Sequence, residues 1–364
     1  MDLKRRAVTL VLAAAALIFA ALPAAAAYDA EKTAYSVVKS VPAPQVGSIG
    51  GEWAVIGLAR LGADVPEGYF DDYYSRVESY VSDCGGVLHA RKYTEYSRVS
   101  LALTAIGRDP RNVAGYDLLR PLGDFEKTIW QGINGPIWAL IALDAGGYEI
   151  PAAPEAKTQA TRELYVGEIL KKQLADGGWS LTGAGDGDAD LTAMALQALA
   201  KYRDEPQVES VVQRALDFLS RSQLQSGGYS SWGSENCESS AQVLVALCEL
   251  GIPVGDERFV KNGKTVLDAL LSFRRADGGF DHVHGGSDGN NEMSTEQALY
   301  ALADISRVED GKSSLYRMTD EKAPETSEEK AEQPAAAALS PETCFIGAVG
   351  SALFLLAGMA RAVG

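Results

Sequence analysis

Two kinds of helical segment alternate along the second half of the chain. In residues 209–219 the apolar positions recur on one helical face, and charged or amide side chains fill the other face. Residues 192–199, 240–247 and 295–302 are instead apolar on nearly every side. A helix of this second kind must be enclosed by protein all round. The alternation therefore predicts an inner layer of buried helices and an outer layer whose helices each expose one face to solvent.

A turn made of two glycines and an aromatic residue repeats in step with this alternation. Its three clear copies start 50 and 51 residues apart: Gly177-Gly178-Trp179, Gly227-Gly228-Tyr229 and Gly278-Gly279-Phe280. A repeat of this period indicates a repeat architecture, and glycine suits the end of a helix because it tolerates the left-handed conformation. Similar apolar segments end at Gly62, Gly107 and Gly146, which gives about six hairpins. An open stack of hairpins would leave two terminal repeats that need caps, whereas a closed ring has none. The sequence therefore predicts an all-α toroid, (α/α)6, over residues 28–307.

The N-terminus differs from this body. Residues 1–27 combine Lys4, Arg5 and Arg6 with an apolar run and a stretch of alanines that ends at Ala27. This composition predicts a secretory signal peptide cleaved before Tyr28. An uncleaved N-terminal anchor is the alternative, but the apolar run is short for a membrane span.

The C-terminus also differs. Residues 308–343 are rich in Glu, Lys, Ala, Pro, Ser and Thr, which predicts a disordered stalk. Residues 344–360 form an apolar run near the lower length limit of a transmembrane helix, and Arg361 favours a cytoplasmic tail over residues 361–364. Residues 340–344 also resemble a sortase signal with altered flanks. The sequence thus predicts an exported protein held at the cell membrane by one C-terminal helix.

Charge and cysteine content narrow the possible partners. The formal net charge of −16 argues against nucleic acid and against a surface that lies on anionic lipid. No CxxC pair is present, and Cys344 falls in the predicted anchor. Cys84, Cys237 and Cys248 remain, without a spacing that predicts disulfides.

The glycine–aromatic turns, with Gln173 and Gln223 a few residues upstream, resemble the repeats of the terpene cyclase and protein prenyltransferase superfamily. The resemblance covers residues 28–307 and is carried further by residues 50–60, 131–144 and 188–194. Among its members the chain is most similar to exported bacterial prenyltransferase and squalene oxidase repeat proteins with one ring. The resemblance implies the α/α toroid fold. Because the superfamily also contains cobalamin carriers, it does not fix an activity.

The segment from Asp188 to Ala193 resembles the Asp-x-Asp-Asp-Thr-Ala motif of class II terpene cyclases. The resemblance implies that Asp190 is a catalytic acid with Asp188 as its neighbouring carboxylate. A carboxyl kept neutral by burial and by a nearby charge can donate a proton. However, Leu191 replaces the last Asp of the motif, and the chain has room for one helical domain only. The structural interpretation is that Asp190 caps the helix that starts at Leu191.

Two further inner helices start with patterns that fit capping boxes, Ser239-x-x-Gln242 and Ser294-x-x-Gln297. In a ring of parallel inner helices, all these starts lie at one end, and their amides point toward that opening. Asp190, Glu238 and Glu292 are then predicted to surround the opening, either as a rim that binds a polar or cationic ligand or only as helix caps.

Several aromatic residues follow the glycine turns: Trp179, Tyr229, Trp232 and Phe280. They are predicted either to line an opening for an apolar or sugar-like ligand or to pack each turn against the next hairpin. Trp53, Trp130 and Trp138 lie in the first three hairpins and are predicted to belong to the core or to a cavity wall.

His282, His284 and Cys237 form the candidate metal set. Protein prenyltransferases bind zinc through an Asp, a Cys and a His, so the resemblance implies a zinc site if these residues meet near Asp188 or Asp190. Solvated histidines in a glycine-rich loop are the alternative. The resemblance to cobalamin carriers implies a corrinoid as a second possible cofactor, although the second domain of those carriers is missing here.

Functions of different classes follow from these features. The first is a non-catalytic extracytoplasmic toroid that binds a small molecule or a surface protein in its central cavity. The second is a terpenoid cyclase or a prenyltransferase-like enzyme that uses Asp190 or zinc, so the sequence leaves open whether the protein is an enzyme. A structural surface protein whose ring is filled by its own side chains is the third.

Overall fold

The computed structural model describes residues 28–231, 233–286 and 291–319. The predicted signal peptide (1–27), Trp232, most of the stalk, the anchor (344–360) and the tail (361–364) lie outside these residues. None of the helices in the described ranges combines the length and the apolar character needed to cross a bilayer.

The described ranges are mostly helical, with little sheet. The α-helices are α1 (Ala30–Ser40), α2 (Trp53–Leu61), α3 (Tyr69–Asp83), α4 (Thr94–Ala105), α5 (Phe125–Ile129), α6 (Asn134–Ala145), α7 (Arg162–Lys171), α8 (Ala189–Leu199), α9 (Pro206–Ser222), α10 (Cys237–Glu249), α11 (Val266–Leu271) and α12 (Asn291–Glu309). The strands β1 (Ser230–Ser231) and β2 (Ser234–Glu235) pair antiparallel, with Ser231 opposite Ser234.

Odd-numbered and even-numbered helices differ in burial, as the hydrophobic pattern predicts. α9 buries one face, which includes Val208, Ala215 and Leu219, while charged residues between these positions face solvent. α10 is buried at every position from Cys237 to Glu249. Apolar surface removed from water stabilises by roughly 25 cal/mol per Å². Burying the even-numbered helices on all sides is therefore the main driving force that assembles the layers.

The even-numbered helices form a closed ring. α2 packs on α4, α4 on α6, α6 on α8, α8 on α10 and α10 on α12, and α12 returns to pack on α2. Gly57 of α2 permits this last contact, because a Cβ there would lie 3.0 Å from Cγ of Leu299 on α12. With the odd-numbered helices outside it, the ring is consistent with an α/α toroid.

The glycine turns connect neighbouring outer helices. A Cβ on Gly177 would lie 2.5 Å from the carbonyl oxygen of Arg214 in α9, and one on Gly278 would lie 2.5 Å from the carbonyl oxygen of Lys32 in α1. The outer layer therefore also closes, last hairpin to first. The prediction that these glycines end the preceding helix is wrong. α9 ends at Ser222, and a separate turn follows it, in which the Gly227 N–H donates to the Leu224 carbonyl.

The helical domain extends beyond the predicted boundary at residue 307. α12 continues to Glu309, and Leu315, Tyr316 and Met318 are buried against the ring. A stalk that begins at residue 308 is therefore wrong for residues 308–319. The polar composition of residues 308–343 as a whole concealed the few apolar residues at its start.

Candidate functional site

The loops that precede the inner helices meet at one end of the ring, which we call the mouth. Hydrogen bonds join equivalent positions of neighbouring inner helices: Ser294, near the start of α12, donates to Glu238, near the start of α10, and Gln197 of α8 donates to Gln242 of α10. These inner helices are therefore parallel, and their N-terminal ends lie together. Their unpaired amides give the mouth a positive partial charge that favours carboxylates. Asp190, Glu238 and Glu292 lie in the first turns of α8, α10 and α12, and Glu292 is exposed.

Asp188, rather than Asp190, caps α8. Asp188 Oδ1 accepts the Leu191 N–H at 3.0 Å, and Ser231 Oγ donates to Asp188 Oδ2 at 2.5 Å. The prediction that Asp190 is the helix cap is therefore wrong. A capping side chain must stand just before the helix, and α8 begins one residue earlier than Asp190, at Ala189.

The Asp190 carboxyl is thus released from capping. The residue is partly exposed, but its Oδ1 atom is buried and has no hydrogen-bond partner among the described residues. Burial, reinforced by the negative charge of Asp188, raises the pKa of Asp190 to about 7. A large fraction of the molecules therefore carries a proton on Asp190 at neutral pH, which is the state that a general acid needs.

Glu238 and His282 form a hydrogen-bonded pair close to Asp190. His282 Nδ1 lies 2.7 Å from Glu238 Oε2, and Ser294 Oγ donates to Glu238 Oε1 at 2.6 Å. Glu238 is buried, whereas 33% of the His282 side chain is exposed. The charge of Glu238 contributes to the raised pKa of Asp190. The mouth therefore brings together an acid with a raised pKa, a second carboxylate and an imidazole.

The two predicted capping boxes are wrong. α10 starts at Cys237, and its cap is Asn236, whose Oδ1 accepts the Ser239 N–H at 2.8 Å. Ser294 lies inside α12, and its hydroxyl is used by Glu238. In both cases the helix begins before the serine that the sequence pattern selects.

The glutamines of these patterns instead join a hydrogen-bonded ladder along the inner wall. Gln197 Nε2 donates to Gln242 Oε1 at 3.0 Å, and Gln242 Nε2 donates to Gln297 Oε1 at 3.0 Å and to the Tyr300 hydroxyl. The ladder crosses three successive inner helices, α8, α10 and α12. Sequence reasoning missed it, although a glutamine inside an otherwise apolar helix is a signal, since buried amides need partners.

Three aromatic residues meet across the ring and form what we call the floor of the mouth. The ring centroids of Trp53 and Trp138 are 5.1 Å apart, and those of Trp53 and Tyr300 are 6.0 Å apart. Because α2 and α6 are not neighbours in the ring, the Trp53–Trp138 contact spans its centre. Trp130, predicted with them as core or cavity wall, is 59% exposed and lies under the Arg91 guanidinium.

The aromatic residues of the glycine turns pack inside the protein. Trp179, Tyr229 and Phe280 are at most 1% exposed. Trp179 Nε1 donates to the Ile169 carbonyl at 2.8 Å, which ties the turn to α7. These three side chains therefore hold hairpins together and do not line the mouth, while Trp232 lies outside the described residues.

The candidate metal residues lie close in the chain fold but do not converge. The Cys237 N–H donates to the His282 carbonyl at 3.0 Å, yet Cys237 Sγ is buried against the Ser294 carbonyl. The His284 ring stacks on Phe273 with centroids 4.0 Å apart. Within the described residues, no group of three His, Cys, Asp or Glu side chains is arranged to hold a metal ion.

A buried ion pair fixes the opposite side of the mouth. Arg98 Nε donates to Glu52 Oε2 at 2.8 Å, and the Tyr73 hydroxyl and the Gly47 N–H donate to Glu52 Oε1. Burial raises the pKa of Glu52, while the adjacent Arg98 opposes that shift. The pair anchors the loop before α2, and nothing in the sequence pattern indicated it.

The comparisons with known proteins agree with this architecture. Residues 184–303 match the squalene-hopene cyclase C-terminal domain family. Among solved structures, the chain is similar to an unsaturated glucuronyl hydrolase from Bacillus sp. GL1, described as responsible for the degradation of glycosaminoglycan. That similarity has a TM-score of 0.51 at 14% identity and covers 80% of this chain and 97% of the hydrolase, so it concerns the fold alone. No curated protein matches the chain.

The cyclase match includes the segment that carries Asp188, Asp190, Glu238 and His282. Taken together, the two matches are consistent with an α/α toroid fold.

Proposed function

We propose that the ring binds a small molecule at its mouth, above the floor of Trp53, Trp138 and Tyr300. The observation that carries this proposal is one atom of the Asp190 carboxyl, the buried Oδ1, which has no hydrogen-bond partner among the described residues. The Ser231 and Ser239 hydroxyls interact with the same carboxyl and partly lower its pKa. An unsatisfied buried polar atom costs about 1–3 kcal/mol. A ligand that supplies a hydrogen-bond donor to Asp190 recovers that cost on binding.

The surroundings of Asp190 define the class of ligand. Of the floor residues, Trp53 is partly exposed, while Trp138 and Tyr300 are buried beside it. The Glu238–His282 pair and the glutamine ladder supply a few oriented polar groups. Pockets with mostly apolar walls and a few fixed polar groups are typical of small-molecule sites. Aromatic faces beside carboxyl groups also stabilise positive charge. The ligand we propose therefore has a flat or apolar body and one donor or cationic group.

Native mass spectrometry of the full-length chain, purified from its own host, tests the proposal. The wild-type protein is expected to carry a small molecule, and Asp190→Asn to lose most of it. Asp186→Asn is the matched control, because Asp186 lies in the loop that leads into α8 but is exposed. Wild-type protein without a bound molecule, or equal retention by Asp190→Asn and wild type, would contradict a site at the mouth.

The second candidate function is acid catalysis of the terpenoid cyclase or prenyltransferase-like kind. The pKa of Asp190, about 7, favours it, because the proton is present at neutral pH and is not tied up in a helix cap. Turnover of an apolar polyene would then decline above about pH 7 as Asp190 loses its proton. Turnover tests this second function directly: an activity that Asp190→Asn loses and Asp186→Asn keeps points to an acid role of Asp190, and equal turnover by Asp190→Asn and wild type contradicts it.

The sequence also supports a cellular location for the ring. The signal peptide predicted for residues 1–27 and the apolar run at residues 344–360 support an exported toroid that is held at the cell membrane by one helix. A binding site outside the membrane suits either a small molecule or a partner on the cell surface.

A further inference from the structure

The chain returns to the ring after α12, at the end opposite the mouth. Residues 313–318, which we call the closing segment, are largely buried there. The Met318 N–H donates to the Ala145 carbonyl at 2.9 Å, at the C-terminal end of α6. The closing segment thus lies where the inner helices leave their last carbonyl groups without partners.

Two buried carboxylates bind the backbone of the closing segment. Glu249, the last residue of α10, accepts the Tyr316 N–H and the Ser314 hydroxyl, each at 2.8 Å. Asp304 of α12 accepts the Leu315 N–H at 2.7 Å. Both carboxylates are at least 96% buried, since Glu249 is 4% exposed and Asp304 is 0% exposed. Each of these three donors therefore has an acceptor built into the ring.

Two buried arginines bind the carbonyl groups of the same stretch. Arg60 Nη2 donates to the Ser314 carbonyl at 2.9 Å, and Arg307 Nε donates to the Ser313 carbonyl at 2.7 Å. Arg307 Nη1 also donates to the Arg60 carbonyl at 2.9 Å, which ties α12 to the end of α2. Burial raises the pKa of Asp304 and of Glu249, and the nearby arginines oppose that shift. Removal of the segment would leave these buried polar groups without the partners that it supplies.

Tyr316 occupies the centre of this end of the ring. Its side chain meets Trp138 of α6 edge-on, with centroids 6.3 Å apart, while its amide is held by Glu249 of α10. Because α6 and α10 are not neighbours in the ring, a residue that contacts both lies over the central opening. Tyr316 is 5% exposed. It therefore lies beneath Trp138, on the side of the floor that faces away from the mouth.

We propose that this face of the ring is a peptide-binding groove that the chain fills with its own closing segment. The groove recognises a short stretch with a hydroxyl residue, an apolar residue and a central aromatic residue. Its occupation turns the ring into a cup that is closed beneath the floor. The chain leaves this cup at Thr319, on the face opposite the mouth, whether or not the mouth binds a ligand.

Hydroxyl-radical footprinting of the full-length protein, read out residue by residue, tests the closure. Trp138 is 8% exposed while Tyr316 covers it, so Tyr316→Ala is expected to increase its oxidation rate several-fold. Tyr316→Phe keeps the ring and serves as the control, with an unchanged rate. Trp179, at 1% exposed and distant from Tyr316 in the chain, is the internal standard in each protein. A folded Tyr316→Ala protein with an unchanged Trp138 rate overturns the proposal.

Hydrogen exchange of the wild-type protein tests the groove without any substitution. The amides of Leu315 and Tyr316 donate to Asp304 and Glu249 and are expected to exchange as slowly as the amides of α10. Exchange of these two amides at the rate of an open chain overturns the proposal even if Tyr316→Ala does not fold.

Discussion

At the residue scale, the raised pKa of Asp190 links the stability of the ring to pH. The folded protein holds this proton up to about pH 7, whereas the unfolded chain releases it near the ordinary value of 3.8. As pH rises between these two values, the unfolded state becomes favoured, so stability is lost. Each pKa unit is worth about 1.4 kcal/mol, which gives a loss of up to about 4 kcal/mol.

Asp190→Asn removes this linkage. Relative to wild type, its free energy of unfolding is expected to rise by up to about 4 kcal/mol between about pH 4 and about pH 8, because only the wild type must ionise a buried carboxyl. Urea denaturation at a series of pH values measures this difference, and the other titrating groups cancel in it. Asp186→Asn is expected to follow the wild type, and a wild-type-like profile for Asp190→Asn would contradict the raised pKa.

The sequence predicted where the residues of the mouth lie better than what they do. Asp188, Asp190 and Glu238 were expected at the helix starts, because an acidic residue before an apolar run is a readable local signal. Which of Asp188 and Asp190 caps α8 depends on the position of the first helical residue. Local sequence patterns do not fix that position to within one residue. The Glu238–His282 pair joins segments 44 residues apart, and only the closed ring brings them together.

At the element scale, the glycine turn is a joint between hairpins. Gln173 Nε2 donates to the Gly177 carbonyl at 2.8 Å and to the Val211 carbonyl of the next outer helix at 2.9 Å. Gln223 makes the equivalent pair of bonds in the next repeat. In the third repeat Arg274 takes this place and donates to the Asp29 carbonyl, just before α1. The same joint that spaces the hairpins thus also closes the outer layer.

Gly278→Ala tests this joint. Gly278 has a φ of 91°, and a Cβ would meet the Lys32 carbonyl oxygen at 2.5 Å, so the variant suffers both backbone strain and a clash. Gly285→Ala in the same loop is the control, because Gly285 also has a positive φ but nothing lies within 4 Å of its Cβ position. Gly278→Ala is expected to lose about 2 kcal/mol more stability than the control in urea denaturation. Equal losses of stability in the two variants would mean that the glycine turn does not pack tightly against α1.

The helices were predictable because the apolar positions within each repeat show which faces of its helices are buried. α8, α10 and α12 are apolar almost all round, and α9 has one apolar face, so periodicity alone separates the two layers. The closing segment was not predictable in this way. Its burial depends on acceptors in α10 and α12 and on arginines in α2 and α12, which no pattern within residues 313–318 contains.

At the scale of the whole molecule, the mouth and the closing segment give the ring a direction. The N-terminal ends of the inner helices surround the mouth, and the chain leaves the described structure at Thr319 on the other face. If the C-terminal run is the membrane anchor that we propose, the stalk joins the ring on the face opposite the mouth. A ligand or surface partner then reaches the floor without passing the membrane.

Cell fractionation tests this arrangement, because it separates anchoring from folding. If the ring is exported and the C-terminal run partitions into the bilayer, as we propose, the full-length chain is expected in the membrane fraction and accessible to protease added to intact cells. A chain that ends at Thr319 keeps the closing segment and is expected to be released as a folded, soluble protein. Its folded state is checked by circular dichroism, so that loss of the anchor is not confused with loss of the ring. Full-length protein that stays in the cytoplasmic fraction, or that resists protease until the cells are broken, would contradict export. A truncated chain that remains membrane-bound would instead place the membrane contact in the ring itself.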